Sequence, residues 1–170
     1  DFKKRFGKDI LEGFGTTETS PVATCNLPDV IAPDYTVQVG QKTGTVGMAI
    51  PGTTIKIVDP QSFEELEANE EGMILISGIQ VMKGYLNDEE KTSKVLKIIN
   101  SKTYYISGDK GKIDEDGFLT IVDRYSRFAK LAGEMISLGN IEDKISKLID
   151  LDENNLVDFI ITTIEDDKKG

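Results

Sequence analysis

Towards the end of GTVGMAIPGTTIKIVD apolar and polar side chains alternate, Ile55 and Ile57 against Thr54 and Lys56, the period of a half-buried strand. MILISG, residues 73–78, is a nearly continuous apolar run suited to a central strand. TYYISGDKGKI and GFLTIVD predict two more strands, joined by a compact hairpin connection at Asp114-Glu115-Asp116-Gly117. A calcium loop is excluded there, because DEDG lacks the third acidic position and the closing Glu of an EF-hand. The acidic stretch EELEANEEG between the first two strands reads as a solvated turn.

The flanks have a different texture. Phe2 to Lys8 predicts the end of a helix or a surface connection, with Lys3, Lys4 and Arg5 on a solvated face. DILEGFG predicts a short strand running into a glycine pair, and NLPDVIAPDYTVQVGQKTG a loop punctuated by Pro and Gly. After Arg124, RFAKLAGEMISL reads as two short strands broken at Gly133. Ile141, Ile145, Leu148 and Ile149 then recur at helical spacing, with Asn140 as N-cap, and LVDFIITTIE predicts a strand.

Composition narrows the chemistry. The chain has 170 residues, 38% hydrophobic and 29% charged, which predicts a folded core. It contains no histidine, so Ser-His-Asp and Cys-His sites and zinc sites of the usual ligand type cannot be built. Cys25 is alone, which rules out an internal disulfide and fits a reducing compartment. A net charge of -10 argues against nucleic acid as a partner. No apolar run is long enough to span a bilayer. Both ends read as cut, so the expectation is a piece of a longer protein.

Three separated pieces carry the remaining information: GFGTTE at 13–18, YISGD at 105–109 and DRYSRFAKLAG at 123–133. In this order and spacing, with GTVGMAIPG and GIQVMKGYLND between them, they resemble the adenylate-forming, AMP-binding enzymes: acyl-CoA synthetases, adenylation domains and luciferases. RFAKLAGEMISL is similar, more narrowly, to the synthetase part of bacterial acyl-[acyl-carrier-protein] synthetase / 2-acylglycerophosphoethanolamine acyltransferases. The resemblance implies an α+β, mainly β fold. Residues 1–123 would be the C-terminal part of the AMP-binding large domain, a distorted antiparallel β-barrel subdomain from about 40. Residues 124–170 would be the hinge and truncated start of a small mobile α+β domain.

It also implies an ATP-dependent fatty acid ligase, which forms an acyl-adenylate and passes the acyl group to CoA or to the phosphopantetheine of acyl carrier protein. Lysophospholipid would enter through another domain, in the cytoplasm or at the cytoplasmic face of the inner membrane. A carboxylate is already a nucleophile at neutral pH, so the reaction asks for positioning and charge neutralisation rather than a general base. The missing histidine is then no obstacle.

Carried over by position, Glu18 would ligate Mg2+ and Thr17 would bind the α-phosphate of ATP, the two together forming the catalytic pair. Gly13 and Phe14 open the nucleotide motif, and Gly15 and Thr16 would let the backbone approach AMP. Asp109 would accept hydrogen bonds from both ribose hydroxyls. Its plainer reading is turn chemistry beside a strand. Arg124 would reach the ribose or phosphates, the plainer reading being a surface pair with Asp123. Arg124 to Arg127 would be the hinge, and Lys130 and Gly133 would belong to the loop lining the pantetheine tunnel. Arg124, Arg127 and Lys130 together would favour an acidic carrier protein, with Arg127 contributing to its docking.

Four positions depart from the family pattern: Phe14 for Tyr, Ser107 for Thr, Asp123 for Gly and Ser126 for Asp or Lys. Phe14 keeps a stacking ring and loses the phenolic oxygen. In the family the phosphate loop lies upstream of this segment and the adenylation lysine beyond Gly170, so the chain by itself is expected not to form an acyl-adenylate. Two alternatives stay open, a degenerate binding fragment and another adenylate-forming enzyme such as a peptide-synthetase adenylation domain. The latter usually has Pro where this chain has Thr16.

Overall fold

Most of the period-two stretches become antiparallel strands, and the paired stretches extend beyond those the pattern marks. The structure, a computed structural model, describes residues 2–131, 134–148 and 160–164, and of residues 130, 131, 134, 135, 143, 147 and 148 the backbone alone. Clustering of contacts divides the chain into two units, Asp1–Val122 and Asp123–Gly170.

The first unit opens with helix α1 (Phe2–Phe6), entirely exposed. Strand β1 is only Gly13–Phe14, shorter than DILEGFG suggested, because Asp9 to Glu12 are exposed and have no face to bury. It pairs with β2 (Thr24–Cys25). The stretch expected to be a loop contains a two-stranded ribbon, β3 (Val30–Ile31) with β4 (Val37–Gln38). Its prolines hid it: Pro28 lies before the pairing and Pro33 in the connection, where neither interrupts the ladder. The connection is an Asx turn, Asp34 Oδ1 accepting from the Thr36 N–H at 3.1 Å and from its hydroxyl at 2.7 Å. β5 (Met48–Ala49) completes a small sheet in the order β1-β2-β5.

The main sheet follows from β6 (Thr53–Val58) and β7 (Gly72–Gly78), with helix α2 (Glu89–Val95), then β8 (Leu96–Ile99), β9 (Lys102–Ile113) and β10 (Leu119–Arg124). Its order is β10-β9-β7-β6, with β8 also on β9, and the sheet is curled into a half-barrel. Ile74, Leu75 and Ile76 of β7 are fully buried, as a strand covered on both faces requires. At about 2–3 kcal/mol for each buried aliphatic side chain, this run anchors the sheet. Ile74 and Ile76 join Ala23, Ile57, Tyr105 and Leu119 in one core cluster. The DEDG connection is the expected hairpin, held by Asp114 Oδ1 accepting from the N–H groups of Asp116 (3.1 Å) and Phe118 (2.9 Å).

Neither α2 nor β8 stands out in the sequence pattern. Asp88 caps the helix, its Oδ1 accepting the Lys91 N–H at 2.9 Å, but the seven helical residues bury no side chain and so carry no apolar stripe. β8 leaves the helix with no Gly or Pro between them and is recognisable only by its pairing, Leu96 opposite Tyr105.

The second unit contains β11 (Phe128–Leu131) antiparallel to β12 (Glu134–Ser137), then α3 (Leu138–Leu148). The helix starts before Asn140, and the cap is Ser137: its Oγ accepts the Asn140 N–H at 3.1 Å. Ser137, not Asn140, takes the cap because it ends β12 and enters the helix without an intervening loop. Of LVDFIITTIE, residues 160–164 are described and carry no strand, and the rest lies outside the described residues, as does Gly133.

Candidate functional site

Glu18 sits in a short 3-10 turn, Thr17–Thr19, just after β1. The turn is a tight knot. Thr19 is fully buried, and its Oγ1 accepts the Thr16 N–H at 2.9 Å and donates to the Thr16 carbonyl at 3.0 Å. Gly15 is required by the chain's return: a Cβ there would lie 1.8 Å from the Pro21 carbonyl oxygen. The close approach that glycine permits at this position is therefore to the chain's own backbone. Phe14 packs against the core cluster, so its ring is partly committed there rather than standing free as a stacking platform. Thr17 is exposed at the start of the turn, and Gly13 is paired opposite Cys25.

The Glu18 carboxylate meets a segment from across the molecule. Tyr85 donates its hydroxyl to Glu18 Oε1 at 2.7 Å, and the Met82 N–H donates to the Glu18 carbonyl at 2.8 Å. The tyrosine hydroxyl is the main reason the carboxyl pKa falls below its ordinary value; partial burial opposes this. Seen from the other side, the same bond pushes Tyr85 up to about 12, so the proton stays on the phenol. Thr16 and Tyr105 add smaller lowering effects on Glu18. The Thr16 hydroxyl oxygen is buried and meets no partner at hydrogen-bond geometry.

Asp109 reaches the same neighbourhood from the sheet. Opposite the single residue Ile74, β9 places three residues, Ser107, Gly108 and Asp109, between the pairs Leu75–Ile106 and Met73–Lys110. This is a β-bulge, which re-aims side chains on the bulged strand. Gly108 has φ +75°, a conformation that favours glycine. Ser107 Oγ donates to the Ile74 carbonyl at 3.0 Å and accepts the Asp109 N–H at 3.0 Å. Asp109 is only 3% exposed, so its carboxylate faces inward. Tyr105 is within electrostatic reach of both acids. Burial raises its pKa, Thr16 opposes this, and the charges of Glu18 and Asp109 raise it further. The structure thus gathers Thr16, Glu18 and Asp109 around Tyr105.

Tyr85 and Tyr105 lie inside the stretches GIQVMKGYLND and YISGD, but neither stands out in the sequence as a site residue. A phenol facing a carboxylate from 67 residues away leaves no local trace. The other expected residues fall in the second unit. The Arg124 N–H donates to Asp123 Oδ1 at 2.7 Å, and Asp123 Oδ2 accepts from the Ser137 hydroxyl. Arg127 pairs with Glu142, whose other oxygen accepts the Ile161 N–H at 2.9 Å. Lys130 is on β11 opposite Met135.

Comparison with known proteins adds to this geometry. Residues 1–86 match the family model described as AMP-binding enzyme. The chain is 33% identical over 159 residues to 4-coumarate--CoA ligase 2 of Nicotiana tabacum, which covers 94% of this chain and 27% of that protein. Among solved structures it resembles ATP-bound MatB from Rhodopseudomonas palustris (TM-score 0.65, 32% identity, 85% of this chain and 26% of that one). It also resembles the O-succinylbenzoate coenzyme A synthetase MenE of Bacillus subtilis in complex with AMP (TM-score 0.69, 25% identity, 98% and 31%). The chain spans less than a third of the length of each of these three proteins.

Proposed function

We propose a function on the premise that this chain belongs to the AMP-binding enzyme family: it supplies one side of the nucleotide site of a ligase that activates a carboxylic acid as its adenylate and transfers the acyl group to the thiol of CoA. The observation that carries this reading is that a turn and a strand far apart in sequence each hold one acid in a built setting, Glu18 against the Tyr85 hydroxyl and Asp109 buried at a bulge, with both charges acting on Tyr105. One carboxylate there suits a cation and the other suits a ribose.

The chemistry of the donors fits the cofactors. Among the described residues no group of three or more Asp, Glu or Cys gathers to hold a cation by itself. A single ionised Glu18 fits Mg2+ that arrives on phosphate oxygens, since that ion takes one or two protein carboxylates and fills its shell with phosphate and water. When bound, the ion neutralises charge on the phosphates. Thr17, exposed beside Glu18, offers a hydroxyl to the α-phosphate, and Asp109 at the bulge is the carboxylate assigned to the ribose diol. Residues 1–123 then act as the nucleotide-holding part, and residues 124–170 as the hinge and acyl-transfer part with Lys130 and Gly133.

The relatives named as CoA ligases favour CoA as the acceptor. One observation favours a second reading, with a fatty acid as substrate and acyl carrier protein as acceptor: the stretch RFAKLAGEMISL. Against it stands the Arg127–Glu142 pair, which commits the cation proposed to dock an acidic carrier.

The ribose assignment is tested by calorimetric binding of AMP and 2′,3′-dideoxy-AMP to the chain and to Asp109→Asn. A hydrogen bond to a charged group is worth enough that the substitution should weaken AMP about tenfold. Dideoxy-AMP should be nearly indifferent to it. Equal losses for both ligands would remove Asp109 from the ribose.

A further inference from the structure

We propose that Tyr85 is a positioning residue that holds the Glu18 carboxylate in place for a phosphate-bound divalent cation. The proposal rests on the reading of Glu18 given above. It comes from a two-point clamp: the Met82 N–H grips the Glu18 carbonyl at 2.8 Å, and three residues on the Tyr85 hydroxyl grips Oε1 at 2.7 Å. Main chain and side chain of the one acid are thus fixed by the same segment. An otherwise mobile Glu side chain, with three rotatable bonds, is held in a single pose.

Tyr85 is itself held. Its N–H donates to Thr92 Oγ1 at 2.9 Å, and that hydroxyl donates to the Asp88 carbonyl at 2.7 Å. Asp88 caps α2 and forms an isolated bridge with Tyr85 across the turn. Lys91 Nζ lies 4.3 Å from the centre of the Tyr85 ring, a cation–π distance that covers one face of the ring. The short helix therefore has a clear task despite burying no side chain: it braces the ring whose hydroxyl braces the carboxylate. A phenol suits this better than Lys or Arg. It is a neutral donor, so it fixes one carboxylate oxygen without cancelling the charge the cation needs.

The test measures ATP affinity of the chain by calorimetry twice, with Mg2+ and with a chelator, and takes the ratio as the magnesium gain. Tyr85→Phe keeps the ring and removes the hydroxyl. Its magnesium gain should fall at least about tenfold, the lower end of the range for losing one hydrogen bond to a metal ligand. Its affinity for ATP in chelator should not move. Thr92→Val, which loosens the brace without touching Glu18, should lower the gain by less in the same direction. A general loss of folding would lower both affinities and so differs from the expected split.

If Glu18→Gln abolishes the gain while Tyr85→Phe leaves it unchanged, Tyr85 does not position the ligand and the proposal is wrong. If the unsubstituted chain shows no magnesium gain, or Glu18→Gln retains it, the reading of Glu18 fails and this proposal fails with it.

Discussion

Two carboxylates converge on Tyr105 by opposite means. Asp109 is placed by backbone: a bulge in β9, a left-handed Gly108 and the Ser107 hydroxyl turn the strand so that the acid faces inward. Glu18 is placed by a turn and a distant segment: a 3-10 turn presents it, the Met82 N–H holds its carbonyl and the Tyr85 hydroxyl then fixes its carboxylate. The sheet position is as stable as the core it belongs to. The turn position depends on a few named groups and yields when one is removed. Rigid holding suits a ribose, which is bound unchanged. A carboxylate fixed by a neutral donor keeps the charge that a phosphate-bound cation would need.

This contrast can be broken most forcefully at Gly15. In Gly15→Ala the Cβ would sit 1.8 Å from a main-chain oxygen, so the turn must open. We expect a loss of roughly 3 kcal/mol, the upper range for forcing atoms into a packed site, read by urea unfolding. A cost near zero would mean that the turn is loose. Thr19→Val comes next. It keeps the buried shape and removes two hydrogen bonds that hold the knot, for a loss of about 2 kcal/mol. Ser107→Ala attacks the bulge, where the sheet still holds the strand on both sides, and should cost about 1 kcal/mol. If Ser107→Ala proved more damaging than Thr19→Val, the division into a robust strand and a delicate turn would be reversed.

The smallest effect is spectroscopic. Because Glu18 raises Tyr85, their bond stabilises the fold fully below pH 10 and is lost as pH rises through about 12. On the acid side it is present above the ordinary carboxyl pKa of 4.5 and lost as pH falls through the lowered value of Glu18. Absorbance titration of the five tyrosines should therefore show one ionising near 12, brought back towards 10 in Glu18→Gln. A titration that Glu18→Gln leaves unaltered would separate the two groups.

The same contrast explains what could be read from the sequence. MILISG and the 105–124 hairpin were legible because burial on a sheet imposes a short, local period. Glu18 and Asp109 were legible as part of ordered motifs. Tyr85 was not, since its contact spans 67 residues, and α2 was not, since Val95 at its end is the one helix residue packed against the core and makes no apolar period. The motif marks Gly15 but not its close approach to Pro21, a contact the chain makes only once the turn is folded. Asn140 lost its capping role to Ser137 because strand and helix meet without a loop.

If the turn and the bulge belong to one nucleotide site, backbone amide NMR of the chain titrated with Mg2+ and ATP will show shifts concentrated at residues 15–18, 82–85 and 105–109. Shifts centred on the shallow hollow lined by Ile10, Glu12, Asn26, Gln41 and Lys42, with the turn and bulge unmoved, would contradict it.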